Sequence, residues 1–293
     1  MDLRFGPLQL IPGGNSGRYP YCHSIYVEAD FKVVIDPASD RDRLQQVLDD
    51  TGVDAVWLSH WHEDHFMHMD LFDDKELRIS ELDAPPLTDL ESLFDAYGMN
   101  DQERESWAPT MVDLFRFRPR QADRVFCGKE TIDLGGVTVD VIPTPGHTPG
   151  HTSFLFREQE VLFLGDYDLT RFGPWYGDVG SDIDRTIASV HLLRSIPARV
   201  WMTSHEKGVF ENQPGALWDT YIGVIDERDA KLLDLLKEPK SMSDIVDARI
   251  IYGRPREPKE FYDFGERALM GKHLERLMRH GTVVLESGLY HRP

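Results

Sequence analysis

Ser59-His60-Trp61-His62-Glu63-Asp64-His65 packs three imidazoles and the Asp64 carboxylate into six positions, directly after the apolar run Val53 to Leu58. That run reads as a buried strand. Side chains alternate along a strand, so His60 and His62 leave on the same face as the chain runs out of the sheet. A turn into a helix then brings Asp64 and His65 round beside them, so that two adjacent metal positions share one site. Imidazole nitrogens and a carboxylate suit zinc and the other borderline divalent ions, whereas calcium and magnesium want oxygen shells. The competing reading, unrelated polar residues on a solvated loop, fits poorly with so dense a cluster.

Working outward, three more apolar strands end in residues of the same chemistry. Thr131 to Ile142 reads as a hairpin about Gly135-Gly136 and leads into Pro143-Thr144-Pro145-Gly146-His147-Thr148-Pro149-Gly150-His151. Val161-Leu162-Phe163-Leu164 ends at Gly165-Asp166, and Arg199-Val200-Trp201-Met202-Thr203 ends at Ser204-His205. Residues far apart in a chain meet when their strands terminate at one sheet edge, so this recurrence predicts a single site. Upstream, residues 8–11, 24–29 and 32–36 read as short strands, and Asp40 caps a helix running through Leu48. Between His65 and about Arg120 the sequence turns helix-prone, acidic and aromatic, which predicts a helical insert over about residues 70–120.

At 293 residues and 41% apolar composition the chain can bury a substantial core. No apolar run approaches the roughly 20 residues of a membrane span, and Met1-Asp2-Leu3-Arg4-Phe5 lacks the layout of a secretory signal, so cytoplasmic residence is expected. Cys22 and Cys127 are too few for a disulfide framework and read as reduced thiols. A formal charge of −19 argues against holding nucleic acid by phosphate neutralisation. From Asp226 onward basic and acidic residues number about thirteen each, so the acidic excess belongs to the first 225 residues.

These residues resemble the metallo-β-lactamase superfamily, particularly its glyoxalase II-like hydrolases. His60-Trp61-His62-Glu63-Asp64-His65 matches the pattern H-x-H-x-D-H, Pro145 to His151 matches P-G-H-T-x-G-H, and Gly165-Asp166 and His205 fall at the later ligand positions. The resemblance implies an α+β fold, a four-layer αβ/βα sandwich spanning residues 1–225. It also implies two divalent ions, zinc first and iron or manganese as alternatives. His60, His62 and His147 would bind one, Asp64, His65 and His205 the other, and Asp166 would bridge them. His151 would stand behind the ligands and hold its loop by hydrogen bonds. Bound metals lower the pKa of a shared water toward roughly 7, which Asp64 would orient for attack. Trp175 and Tyr176, close after Asp166, are expected to line the pocket of a small-molecule substrate.

Residues 226–293 read as three helices and a hairpin and resemble the winged-helix-like tail of the LACTB2-like branch. Its Lys272, Arg276 and Arg279 could dock nucleic acid, although a role in packing or a dimer contact fits the balanced charge better. The bulky run Phe66-Met67-His68-Met69 departs from the small residues usual after the first motif, and there His68 reads as a packing residue before a pocket one. Hydrolysis of a thioester or other activated carboxyl ester is the expected activity. The alternatives are a mononuclear iron sulfur dioxygenase and a metal-dependent nuclease or nucleic-acid-binding protein. A homo-oligomer stays open.

Overall fold

Seven short strands form the first sheet of this computed structural model, which describes residues 3–293, so that Met1-Asp2 of the N-terminal reading lies outside the described residues. They are β1 (Leu3–Phe5), β2 (Leu8–Ile11), β3 (Ser24–Val27), β4 (Val33–Ile35), β5 (Ala55–Trp57), β6 (Glu76–Ser80) and β7 (Arg124–Phe126), hydrogen-bonded in that order. Pairing is antiparallel as far as β4 and parallel from β4 to β7. The second sheet comprises β8 (Glu130–Asp133), β9 (Thr138–Pro143), β10 (Thr152–Phe156), β11 (Val161–Phe163), β12 (Val200–Met202) and β13 (Val209–Phe210). Its strands lie side by side in chain order, and within it only β11 and β12 pair in parallel.

Period-two alternation sorts the apolar residues into layers. Ala55 and Trp57 of β5 face Val139, Val141, Phe154, Phe163, Val200 and Met202 between the sheets. Val56, Leu77 and Ile79 point the other way and pack with Leu44, Leu93 and Met111 from helices. Leu162 and Trp201 leave the opposite outer face and meet Val190 and Leu193 of the Ile183–Ser195 helix and Trp218 and Tyr221 of the Leu217–Leu235 helix. The result is helix, sheet, sheet, helix, the four-layer α+β sandwich anticipated. Gly135 and Gly136 turn the β8–β9 hairpin with φ of 80° and 84°, which side chains resist.

The expected helical insert is helical only in part. Glu76–Ser80 is β6, an interior strand with Leu77 and Ile79 buried and Glu76 and Arg78 alternating outward. That two-residue period is short, and acidic helix-forming neighbours obscure it. The cap proper is the helix pair Leu90–Tyr97 and Asp101–Asp113, the second opened by a reciprocal Asn100/Glu103 capping box.

The tail holds three helices, Leu217–Leu235, Met242–Asp247 and Lys259–Arg279, and a hairpin of β14 (Val284–Glu286) and β15 (Leu289–His291), around Leu232, Ile245, Met270 and Leu274. The border drawn at 225/226 falls inside the first helix, because Trp218, Tyr221 and Ile225 continue its buried face N-terminally. Ser241 caps the second, and Asp244 three residues on returns the bond to Ser241. Both cysteines are unpaired, and no helix among the described residues is long and apolar enough to cross a membrane.

Candidate metal centre

Strands β5, β9, β11 and β12 run toward one edge, and the loops that follow them meet. His60 and His62 continue from β5, and Asp64 and His65 sit on the short helix Glu63–Phe66 that follows. His147 rides the loop between β9 and β10, whose backbone is fixed by Asp83: Thr148 Oγ1 and the Gly150 amide donate to its two oxygens at 2.5 and 2.7 Å. Three ring nitrogens converge, with His60 Nε2 3.0 Å from His62 Nδ1 and His147 Nε2 3.1 and 3.0 Å from those two.

The far nitrogen of each ring is committed elsewhere, which fixes what the near one offers. His60 Nδ1 donates to Ser59 Oγ at 2.9 Å, because that hydroxyl gives its own proton to Asp36 at 2.7 Å. His62 Nε2 donates to Asp178 Oδ2 at 2.8 Å, and His147 Nδ1 to the Trp175 carbonyl at 3.0 Å. His65 Nδ1 donates to Asp36 at 3.0 Å and His205 Nδ1 to the carbonyls of Gly17 and Tyr21 at 2.7 and 3.0 Å. In the neutral rings five lone pairs are therefore turned on one small volume. Only a cation or protons relieve that repulsion, so the residues fit a metal.

Asp166 divides the donors into two sets. Its Oδ2 is 3.3 Å from His147 Nε2 and 3.7 Å from His60 Nε2, while Oδ1 is 3.0 Å from His65 Nε2 and 3.4 Å from His205 Nε2. Asp64 joins the second set, 3.4 Å from His205 and 3.8 Å from His65. His65 Nε2 and Asp166 Oδ1 are buried and, despite their proximity, lack hydrogen-bonding geometry. Buried polar atoms rarely stay orphaned, and a cation would satisfy both. His60, His62, His147 and Asp166 could hold one ion, and Asp64, His65 and His205 another. Behind them His151 accepts the Asp166 amide at Nε2 (3.1 Å) and bonds Thr144 through Nδ1, as its loop-holding role requires. Gly165 permits this approach, since a Cβ there would stand 2.4 Å from His151 Nε2.

Proton affinities reflect the same surplus of negative charge. Burial opposes a charged His62, yet Asp178 outweighs it and lifts the imidazole to about 9. Burial likewise opposes a charged His205, and Asp166 and Asp168 raise it to about 10. His60, buried and beside His65, is pushed well below the ordinary range.

Sequence reasoning missed several residues that orient this centre. Asp36 ends β4 and reaches both Ser59 and His65 from a left-handed backbone, φ 51°. Its signal, an acid at the end of an apolar strand, was the one that pointed to Asp166. Asp178 and Asp168, which accepts the His205 amide at 3.0 Å, lie in loops with no such signal. Glu63, buried between the hydroxyls of Tyr19 and Tyr97, was passed over as a spacer.

Trp175 lines the cavity above the centre, but Tyr176 does not. The expectation for Tyr176 is corrected: its ring is fully buried and its hydroxyl bonds Arg228 and His273, because loop residues 175 and 176 face opposite ways. His68 also lies off the cavity, packed beneath Arg116. Lys272, Arg276 and Arg279 reach the body, bonding the Val179 carbonyl, Asp184, and Asp182 and Asp184 respectively, and Arg276 also bonds Asp229 within the tail.

The cavity has a volume of about 610 Å³ and three kinds of wall: Tyr19 and Trp175 of the body, Tyr97 and Trp107 of the cap, and Tyr252, Phe261 and Phe264 of the tail. Among relatives of known sequence, a probable metallo-hydrolase of Streptococcus pyogenes serotype M6 is 29% identical over 140 residues, 46% of this chain and 56% of that protein. An atrochrysone carboxyl ACP thioesterase of Aspergillus fumigatus is 27% identical over 100 residues, 34% of this chain and 30% of its own. A hydroxyacylglutathione hydrolase of Hyphomonas neptunium is 52% identical over 44 residues, 15% of this chain and 17% of that one. The matches span about half the length, or less, of these curated relatives. A metallo-beta-lactamase family protein from Thermus thermophilus superposes with a TM-score of 0.74 at 21% identity, covering 98% of this chain and 99% of the other. A beta-lactamase domain protein from Burkholderia ambifaria does so with 0.71 at 17%, covering 100% and 93%. The sequence profile of the metallo-beta-lactamase superfamily matches residues 18–205, the stretch that carries His60, His62, Asp64, His65, His147, Asp166 and His205, and the chain belongs to that superfamily.

Proposed function

We propose that this protein is a metal-dependent hydrolase that carries two divalent ions and cleaves a thioester or another activated carboxyl ester. The observation that carries the reading is the division of Asp166, one carboxylate oxygen toward each donor set. His60, His62 and His147 would hold the first ion, Asp64, His65 and His205 the second, with Asp166 between them. Zinc suits these donors, as do iron and manganese. Ions held by these residues would supply Lewis-acid chemistry, lowering the pKa of a bound water toward neutrality and polarising a carbonyl. The remaining work falls to the protein. Asp64 Oδ would accept a hydrogen bond from the attacking water and so aim its lone pair, and Asp178 and Trp175 keep His62 and His147 in the tautomers that face inward. The aromatic walls exclude bulk water and seat an apolar acyl group. Two relatives whose names denote thioester hydrolases support that bond type. A small-molecule substrate, a cytoplasmic setting and a winged-helix-like tail complete the reading.

The test is metal analysis paired with turnover. Zinc-loaded protein should carry about two ions and hydrolyse acyl thioesters, and Asp166→Ala should lower kcat by roughly 10³-fold or more while losing metal. One tightly held iron with persulfide-dependent O₂ uptake would replace this reading with the dioxygenase, and salt-sensitive retention of RNA or DNA with cleavage would replace it with the nuclease.

A further inference from the structure

The substrate class can be narrowed from the charges around the cavity. Its buried end is acidic, with Glu63, Asp64, Asp166 and Asp168 among the lining residues, and the exposed Glu206 adds a further carboxylate near Arg18. The lining holds two fixed cations, Arg18 and Arg256, both exposed at the mouth. Arg18 has a distant carboxylate, Glu206 at 3.9 Å. Arg256 has none within 4 Å among the described residues, although acids outnumber basic residues 51 to 32 in the chain. Instead its guanidinium lies over two tail rings, 5.9 Å from the Tyr252 centroid and 5.6 Å from that of Tyr262. Stacking on aromatic faces holds a guanidinium in place while leaving its edge N–H groups free to bond an anion. The same cavity is lined by aromatic side chains, Trp107, Phe261 and Phe264 among them, so one ligand could contact both Arg256 and an apolar wall.

We propose that Arg256, with Arg18 beside the same opening, forms a subsite for a negative group remote from the scissile carbonyl, so that the substrate is an amphiphilic acyl ester or thioester: apolar where it crosses the cavity and anionic at the mouth. The subsite rests on the hydrolase reading only for the word substrate; as a binding site it stands by itself. The anion belongs either to the leaving carrier, as the phosphates of coenzyme A do, or to the far end of the acyl chain, as a terminal carboxylate does. In either case a phosphate or carboxylate meets the planar edge of the guanidinium.

The experiment measures binding rather than turnover, on the full metal-loaded chain. Three non-hydrolysable thioethers with the same apolar body are titrated calorimetrically: one built on coenzyme A, one on uncharged pantetheine, and one on pantetheine with a terminal carboxylate on the acyl end. The wild type should bind a charged probe more tightly than the neutral one, and Arg256→Gln should weaken that charged probe by about three- to tenfold, leaving the neutral probe unchanged. Arg256→Lys should recover part of the loss, and added salt should mimic Arg256→Gln on the wild type. Loss confined to the coenzyme A probe places the anion on the carrier; loss confined to the carboxylate probe places it on the acyl end. Equal loss for all three probes, or no loss for any, overturns the subsite. If the charge discrimination is present while none of the matching thioesters is hydrolysed, the hydrolase reading fails and the subsite survives.

Discussion

The two halves of the metal centre are built from similar donors but braced by different parts of the molecule. His65 and His205 lean on the sandwich itself, through Asp36 at the end of β4 and through the carbonyls of Gly17 and Tyr21. His62 and His147 lean on one loop, which supplies Asp178 to the first and the Trp175 carbonyl to the second. That loop is in turn gripped by tail helices: Arg228 bonds the carbonyl of Phe172 at 2.6 Å and the Tyr176 hydroxyl at 2.9 Å, and His273 bonds the same hydroxyl at 2.8 Å. The lesson is that a ligand's spacing in sequence says little about what holds it still. Partners behind metal ligands set the ring's tautomer and orientation, so the two halves should respond to different substitutions.

The largest effect should come from the one residue that braces both halves. Asp36→Ala strips the acceptor from the Ser59 amide and hydroxyl and from His65 Nδ1, and puts alanine at φ 51°. Buried donors left unpaired cost several kcal/mol, so a loss of about 3 kcal/mol or more in denaturant unfolding is expected, with metal lost from both positions. Retention of either ion at full affinity would show the brace to be dispensable. Asp178→Ala should be selective. Loss of such a partner typically lowers metal affinity by about 10- to 100-fold, so chelator competition should find one weakened position and one intact. Equal weakening of both would remove the distinction between the halves.

How much of this was legible in the chain follows from the same contrast. Period-two apolar runs declared most strands, and the four strand ends that emit His60 and His62, His147, Asp166 and His205 pointed to one centre, because a sheet carries distant segments to a common edge. The strand Glu76–Ser80 was lost among helix-forming acids, and its role follows from parallel pairing with residues 21 positions earlier, Ala55 with Glu76, which local pattern does not encode. The bracing residues Asp178 and Asp168 sit in loops whose course is fixed by tertiary contacts. Tyr176 and Trp175 are adjacent and chemically alike, and only the buried Arg228 and His273 decide which of them turns inward.

Proton competition sharpens the comparison next. His62 near 9 lies above its ordinary 6.5, so its charged form stabilises the metal-free fold fully below about 6.5, and that contribution is lost as pH rises through about 9. An ion at the first position must displace this proton. Its apparent affinity should therefore climb about tenfold per pH unit between pH 6.5 and 8.5, read by chelator competition. In Asp178→Asn, which removes the charge that raises His62, the slope should flatten at the first position and persist at the second, where Asp166 and Asp168 lift His205 to about 10. A slope unchanged at the first position would show that His62 is not the group displaced.

The smallest expected effect is the most telling about the tail. Tyr176→Phe keeps the buried ring and removes only the hydroxyl shared by Arg228 and His273. His273 remains held by Asp229 at 2.7 Å and Arg228 by the Phe172 carbonyl, so the fold should lose about 1 kcal/mol, as for one buried hydrogen bond. The loop that carries Trp175 and Asp178 loses a tether one and two positions along the chain from them, within about 7 Å of backbone. If the tail steadies the first half of the centre, affinity there should fall by about two- to threefold while the second half, braced by Asp36 and the Gly17 and Tyr21 carbonyls, keeps its own. Equal affinities in wild type and variant would confine the tail's grip to packing, since a tether that does not reach the imidazoles leaves their lone pairs aimed as before.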